Sequence, residues 1–432
     1  MSDYRFQVPD GVSDITTDEC AIKRCTENRM RAAFRGYGFS EVSTPAFEYL
    51  DVFSNRNIAI EQEHMFKLID PNGRVLVLRP DVTVPIARMV STGMKTVQKP
   101  LKLFYISDVY RINPMQSSNE REFTQAGIEI VGADSTEADG EAIAVAVEAL
   151  AASGLDDFRI DIGQVKFFQS IIDEIDIPTA DKEKVRSYIH NKNLVAVEEF
   201  LDSRGINGKY KELLLLIPVL YGEPEEVMSR AREFRLNEGA KKALKDIEEA
   251  YEIIKEYGYE KYVSVDLGMV SELAYYTGII FKGFTRDLGY IICSGGRYDD
   301  LYGEFGEKRA ATGFAINVNR VVQALRKQKK EEKQEERSYL LSYEKMDRRK
   351  AIETAKRLRN AGYCIELDIL ARSPQELLDY AKGKGIMGII GIEEGSRLKV
   401  TDTKTGISKI TSIPGMVASV WGDRLDNISG WH

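Results

Sequence analysis

Met269-Val270-Ser271-Glu272-Leu273-Ala274-Tyr275-Tyr276-Thr277-Gly278 is the stretch on which the reading of this chain turns. It follows an apolar run, Val263-Ser264-Val265-Asp266-Leu267, and carries paired tyrosines but no arginine or lysine. Neither Ser271 nor Ala274 can supply the planar, permanently charged fork that clamps a carboxylate or a phosphate.

Around it stand 432 residues, enough for two or three domains and a large core. The 43% hydrophobic and 30% charged composition is that of a soluble protein. No apolar run approaches the roughly 20 residues a membrane span needs. Met1 to Asp10 has no basic segment followed by an apolar one, so a secretory signal is not expected and the cytoplasm is. Cys20, Cys25, Cys293 and Cys364 form no Cys-x-x-Cys pair and read as reduced thiols. With His64, His190 and His432 scattered, neither a metal site nor any cofactor is expected. A net charge of -8 argues mildly against a nucleic-acid protein.

Along the chain, Ile22, Cys25, Met30, Ala33, Phe34 and Tyr37 recur at helical spacing, and Gly36 and Gly38 stop the helix. Phe39 to Phe47, with Pro45, reads as an extended edge segment. Residues 65–70 and 74–78 flank Pro71-Asn72-Gly73 as a hairpin and run into Arg79-Pro80-Asp81-Val82-Thr83. Strands follow at about 102–112 and 121–131. The second puts Arg121, Phe123, Gln125, Gly127 and Glu129 on one face, either a ligand floor with Gly127 leaving space for the bound molecule, or a solvated sheet face.

Residues 166–262 read as a helical insertion, with helices at 167–174, 182–203 and 225–257. Residues 1–165 and 263–326 form the main domain around it. Ile291 to Asp299 is a strand breaking at Gly295-Gly296, and Gly313 to Arg320 opens a helix ending near Leu325. Residues 327–337 are a charged linker whose acids offset its bases. From 338 to 432, strands and helices alternate in a small α/β domain, with 15 Lys and Arg against 12 Asp and Glu.

With these pieces in order, the chain resembles the histidyl-tRNA synthetases from about residue 5 to 325. Val8-Pro9-Asp10-Gly11-Val12-Ser13-Asp14 is similar to their opening motif, and Arg79-Pro80-Asp81-Val82-Thr83 to Leu-Arg-Pro-Glu-Gly-Thr. Val109-Tyr110-Arg111 with Arg121 to Glu129 resembles the second class II signature, and Gly313-Phe314-Ala315 with Arg320 the third. Residues 269–276 resemble Leu-Val-Arg-Gly-Leu-Asp-Tyr-Tyr, and Ser294-Gly295-Gly296-Arg297-Tyr298-Asp299 resembles Gly-Gly-Gly-Arg-Tyr-Asp. The resemblance implies an α+β fold: a class II aminoacyl-tRNA synthetase-like antiparallel sheet with helices, paired into a homodimer through residues 18–47. The last domain is similar in element order to the synthetase anticodon-binding domain.

The departures carry as much as the matches. Ser271 stands where the family has the arginine between histidine carboxylate and ATP, and Ala274 where it has aspartate. Asn113 replaces a glutamate, the basic residue near Asn119 is missing, and Asn319 precedes Arg320 where Glu-Arg is usual. The amino-acid side is kept. The resemblance implies that Asp81, Thr83 and Gln125 hold the ammonium group of histidine and that Glu129 and Tyr276 meet its imidazole. Tyr275 completes the site, and Arg111 takes the carboxylate.

This pattern is similar to the regulatory subunits of ATP phosphoribosyltransferase, synthetase-like chains without aminoacylation. That resemblance implies a non-catalytic protein that activates a short-form catalytic subunit in the first step of histidine biosynthesis. It also implies feedback by histidine, bound either in the synthetase-like pocket or at the interface with the catalytic subunit, with tRNA not a partner. The competing readings are an active histidyl-tRNA synthetase and a synthetase-like RNA-binding module.

Overall fold

Residues 4–54, 60–112, 120–270, 276–286, 288–328, 338–393 and 397–416 are described by the computed structural model of the chain. Two compact units divide it, Met1–Lys333 and Gln334–His432.

In the first unit, helix α1 (Thr17–Gly36) has the expected apolar stripe and buries Ile22, Met30 and Phe34. The extended segment after it is two short strands, β1 (Ser40–Glu41) and β2 (Phe47–Tyr49). The hairpin forms as β3 (Lys67–Ile69) and β4 (Val75–Leu78), closed by Asp70 accepting from the Asn72 and Arg74 amides. Helix α2 (Thr83–Gly93) starts directly after it.

The two ten-residue strands are β5 (Leu101–Tyr110) and β6 (Glu122–Val131), followed by helix α3 (Thr136–Ala152). Beyond β7 (Arg159–Gln164) comes the helical segment. It holds α4 (Val165–Asp173), α5 (Thr179–His190), α6 (Leu194–Ser203), α7 (Lys209–Leu216), a short strand β8 (Tyr221–Gly222), α8 (Pro224–Arg232) and α9 (Glu238–Glu256).

The expected helix 182–203 is thus two helices. Lys192, at φ 50°, turns the chain between them, and the Asn193 side chain caps the second. The expected helix 225–257 breaks likewise, where Asn237 caps α9. The chain then returns through β9 (Val263–Asp266), β10 (Ile279–Phe284), β11 (Ile291–Arg297) and β12 (Ala311–Asn317) to α10 (Val318–Lys327). Gly313 to Asn317 is therefore strand, and the helix begins only after Asn317 caps it.

These strands form one sheet in the order β1-β5-β6-β12-β11-β10-β7-β9-β8. It is antiparallel except where β1 meets β5 and β7 meets β9. Period-two alternation gives it two different faces. Phe104, Ala126, Ile128, Ile130, Phe314 and Ile316 face α1, α3 and α10 in the main core. Leu101, Leu103, Tyr105, Phe123 and Ala311 face the other way, into a second core with Val84, Ile86 and Val90 of α2.

The second unit carries β13 (Ser338–Ser342), β14 (Cys364–Leu367), β15 (Gly388–Ile392), β16 (Arg397–Asp402) and β17 (Ser408–Ser412), in the order β14-β13-β15-β16-β17. Helix α11 (Arg348–Asn360) packs with Leu341, Ile365 and Ile390 on one face. Helix α12 (Pro374–Gly383) packs with Leu340 and Ile386 on the other. No helix among the described residues is long and apolar enough to cross a membrane.

Candidate functional site

The face of β6 that alternation singled out is buried, so it is not a solvated surface: Gln125 and Glu129 are 7% and 1% exposed. A cavity opens on it, lined by Asp81, Thr83, Arg111, Gln125, Tyr276 and Tyr298, among others. Its volume is ≈ 100 Å³. One water needs roughly 10–15 Å³ on this measure, so the space holds more than a single water and suits a small ligand.

Five elements bring these side chains together. The tight junction between β4 and α2 delivers Asp81 and Thr83. Asp81 Oδ1 accepts from the Val84 amide at 3.1 Å, so its carboxylate also satisfies an open helix N–H. Arg79 fixes the junction, donating to Asp108 O at 2.7 Å and Thr44 O at 2.6 Å. Thr83 Oγ1 donates to Glu129 Oε1 at 2.8 Å, tying α2 to β6. Arg111, just past β5, lies 5.1 Å over the Phe123 ring.

Glu129 has a built cradle. It pairs in register with Gly313 on β12, where a Cβ would collide with its Oε2. That oxygen and Gln125 Oε1 have no hydrogen-bond partner among the described residues. Burial pushes the Glu129 carboxyl well above the usual carboxylate range, against the Thr83 hydrogen bond and with Asp81 adding to the rise. Burial also raises Asp81, opposed by the Val84 amide and Arg111. Two raised acids around one small cavity favour a ligand that brings positive charge.

Of the expected site residues, Asp81, Thr83, Arg111, Gln125 and Tyr276 line the cavity, and Glu129 is reached through Thr83. Tyr275 lies outside the described residues, as do Ser271, Ala274, Asn113 and Asn119. Gly127 does not leave space for a ligand. A Cβ there would lie 2.6 Å from the Tyr105 hydroxyl, so the glycine makes way for a buried tyrosine of the neighbouring strand.

Ile60, Ser294, Tyr298 and Ala315 also line the cavity and were not expected. Parity could have found Tyr298: it follows Arg297, and that arginine faces the opposite way. Arg297 is a latch to α3. It donates to Asp139 Oδ2 at 2.9 Å, Asp299 Oδ1 at 3.3 Å, Ser135 O at 2.8 Å and Ala133 O at 3.2 Å.

In α10, Arg320 donates to Ile291 O at 2.6 Å and lies 5.6 Å from the Tyr290 ring. Asn319 donates to Glu120 at 2.8 Å and accepts from the Thr124 amide at 3.2 Å, so it knits β6 to α10. Among the described residues, the grouping that could offer a metal ion several ligands is Glu61, Glu63 and His64. Its two carboxylates are exposed, an ordinary surface arrangement.

The histidyl-tRNA synthetase family profile matches residues 11–321. Over 412 residues the chain is 41% identical to a protein of Acetivibrio thermocellus named ATP phosphoribosyltransferase regulatory subunit, covering 95% of this chain and 98% of that one. It is 44% identical over 389 residues to a protein of the same name from Alkaliphilus metalliredigens, covering 90% and 98%. This chain belongs to the ATP phosphoribosyltransferase regulatory subunit family, built on the histidyl-tRNA synthetase domain. Among solved structures, an ATP phosphoribosyltransferase regulatory subunit/histidyl-tRNA synthetase from Bacillus halodurans is 30% identical with a TM-score of 0.80, covering 90% of this chain and 99% of that one. The histidyl-tRNA synthetase of Nostoc, 21% identical with a TM-score of 0.83 over 97% and 99%, shares the class II fold.

Proposed function

We propose that the chain is the non-catalytic regulatory partner of a short-form ATP phosphoribosyltransferase catalytic subunit. That partner is the glycosyltransferase that condenses ATP with phosphoribosyl pyrophosphate in the first step of histidine biosynthesis. The chain raises the partner's activity and carries the histidine signal that restrains it, in the cytoplasm.

The observation that carries this reading is a split site. The cavity keeps the groups suited to an amino acid, while Ser271 stands where adenylation needs an arginine. A preorganised cation at a transferring anionic group is worth several kcal/mol, so its loss leaves binding without turnover.

In the proposed complex the ammonium of histidine meets Asp81, Thr83 and Gln125, and Arg111 meets the carboxylate. The imidazole lies between Glu129 and Tyr276, since its two ring nitrogens need distinct partners; Tyr275 completes the site. Glu129 supplies the stronger, charge-assisted contact when it gives up its proton beside a cationic ring.

Self-pairing is part of the proposal. Phe47, Tyr49, Leu68 and Ile69 leave apolar side chains exposed on the small β2-β4-β3 sheet, with Ile69 77% exposed. A patch of that kind suits a twofold interface. Mixing the chain with the purified short catalytic subunit tests the function directly. Light scattering should show one larger species, and phosphoribosyl transfer should rise above that of the catalytic subunit alone. Separate peaks at micromolar concentration with unchanged turnover would rule the reading out.

A further inference from the structure

Strands β5, β6 and β12 set the floor of the cavity in register. One row across them is Tyr105, Gly127 and Ala315. The rows on either side are Leu103, Glu129 and Gly313, and Ser107, Gln125 and Asn317. Gln125, Gly313 and Ala315 line the cavity. Side chains two apart on a strand share a face, so the space over Gly127 lies between Gln125 and Glu129. The Tyr105 hydroxyl occupies it, 2.6 Å from where a Cβ on Gly127 would stand.

That hydroxyl is uncommitted. Tyr105 is fully buried, and its hydroxyl oxygen has no hydrogen-bond partner among the described residues. Burial pushes the group well above the ordinary tyrosine range, and Glu129 and Asp81 add to the rise, so it keeps its proton as a donor. Thr83 opposes the rise from close by, yet not at full hydrogen-bonding geometry. Thr83 has given its own proton to Glu129 Oε1, at 2.8 Å. A hydroxyl has one donor and two acceptor positions, so Thr83 Oγ1 is left with acceptor positions only. A buried hydroxyl without a partner costs stability, and phenylalanine would fill the same space without that cost.

From this we infer that Tyr105 is a positioning residue of the pocket: its hydroxyl, standing in the side-chain space of Gly127, closes on Thr83 Oγ1 when a ligand is bound and holds Thr83 and Glu129 in place to receive it. The other acceptor position of Thr83 then serves a cationic group in the cavity. The ligand's identity rests on the histidine reading above. A bond completed only in the bound state adds to affinity and nothing to the stability of the empty protein.

The test uses the full chain as wild type and Tyr105→Phe, with calorimetric titration of histidine and melting curves taken without ligand. The substitution keeps the ring over Gly127 and removes the hydroxyl alone. The variant should bind histidine about tenfold more weakly, while the empty protein melts within about 2 °C of wild type or above it. A purely structural tyrosine would do the reverse. Affinity within about threefold of wild type would overturn the inference. So would an empty variant melting further below wild type, since the hydroxyl would then be spent inside the fold.

Should wild type take up no histidine, the ligand reading fails by itself. Melting then decides this inference: a phenylalanine variant at or above wild type upholds an uncommitted hydroxyl in the pocket wall, and one that melts lower refutes it.

Discussion

Replacing Arg297 by methionine separates two readings of the Ser294 to Asp299 motif. If Arg297 were a ligand group, its loss would abolish binding and leave stability near wild type. The structure shows a buried latch instead, 6% exposed, paired with Asp139 and Asp299 and bonded to two carbonyls of the loop before α3. Removing one partner of a buried ion pair costs about 3–5 kcal/mol, because the other charge is left uncompensated. The stranded Ser135 and Ala133 carbonyls add to this without summing fully, since they share one donor. Met fills part of the volume, so about 4 kcal/mol is expected. For a unit of this size the unfolding entropy is near 0.7 kcal/mol per kelvin, and its transition should fall by about 6 °C in calorimetry. Histidine binding, where the lower stability leaves the protein folded, should weaken by no more than about threefold. The double variant Asp139→Leu with Arg297→Met removes both charges and should recover most of the loss. Wild-type melting together with lost histidine binding would refute the latch.

Three further outcomes follow from the same geometry. Given histidine, ATP and tRNA, the purified chain should show neither pyrophosphate exchange nor charged tRNA; exchange at ordinary synthetase rates would restore the enzyme reading. Burial raises Glu129 above its unfolded value, so the empty protein binds more protons folded than unfolded. Its stability should fall as pH rises from the ordinary glutamate range toward the raised value, and Glu129→Gln should flatten that slope in melting curves taken across pH. Substituting Ile69→Asp on the exposed apolar sheet should shift the light-scattering mass toward the single chain, with little change in melting temperature.

Much of the fold could be read from the residues where periodicity was one-sided. Helix α1, the β3-β4 hairpin, strands β5 and β6, and the alternation in the second unit were all legible. Helix α3 was not, because Ala138, Ala142, Ile143, Val145, Ala146 and Leu150 are buried around most of its circumference and leave no polar face to set a period. The break at Lys192 escaped because it carries no glycine or proline signal, only an asparagine cap, and at Asn237 the cap with Gly239 just after it was overridden by the helical pattern on both sides. In the site, the family resemblance singled out Asp81, Thr83, Arg111, Gln125 and Tyr276, which line one cavity, but nothing in it says who fills whose space. Gly127 yields to Tyr105 and Gly313 to Glu129, and both are cross-strand relations that a single strand's sequence does not contain.

The central claim is that an old amino-acid pocket has become a sensor, and histidine inhibition of the assembled phosphoribosyltransferase tests it most directly. With wild-type chain, histidine should lower turnover, and with Glu129→Ala in the same assembly inhibition should be lost or need far more histidine. Inhibition by the Glu129→Ala assembly at the same histidine concentration as wild type would contradict the account.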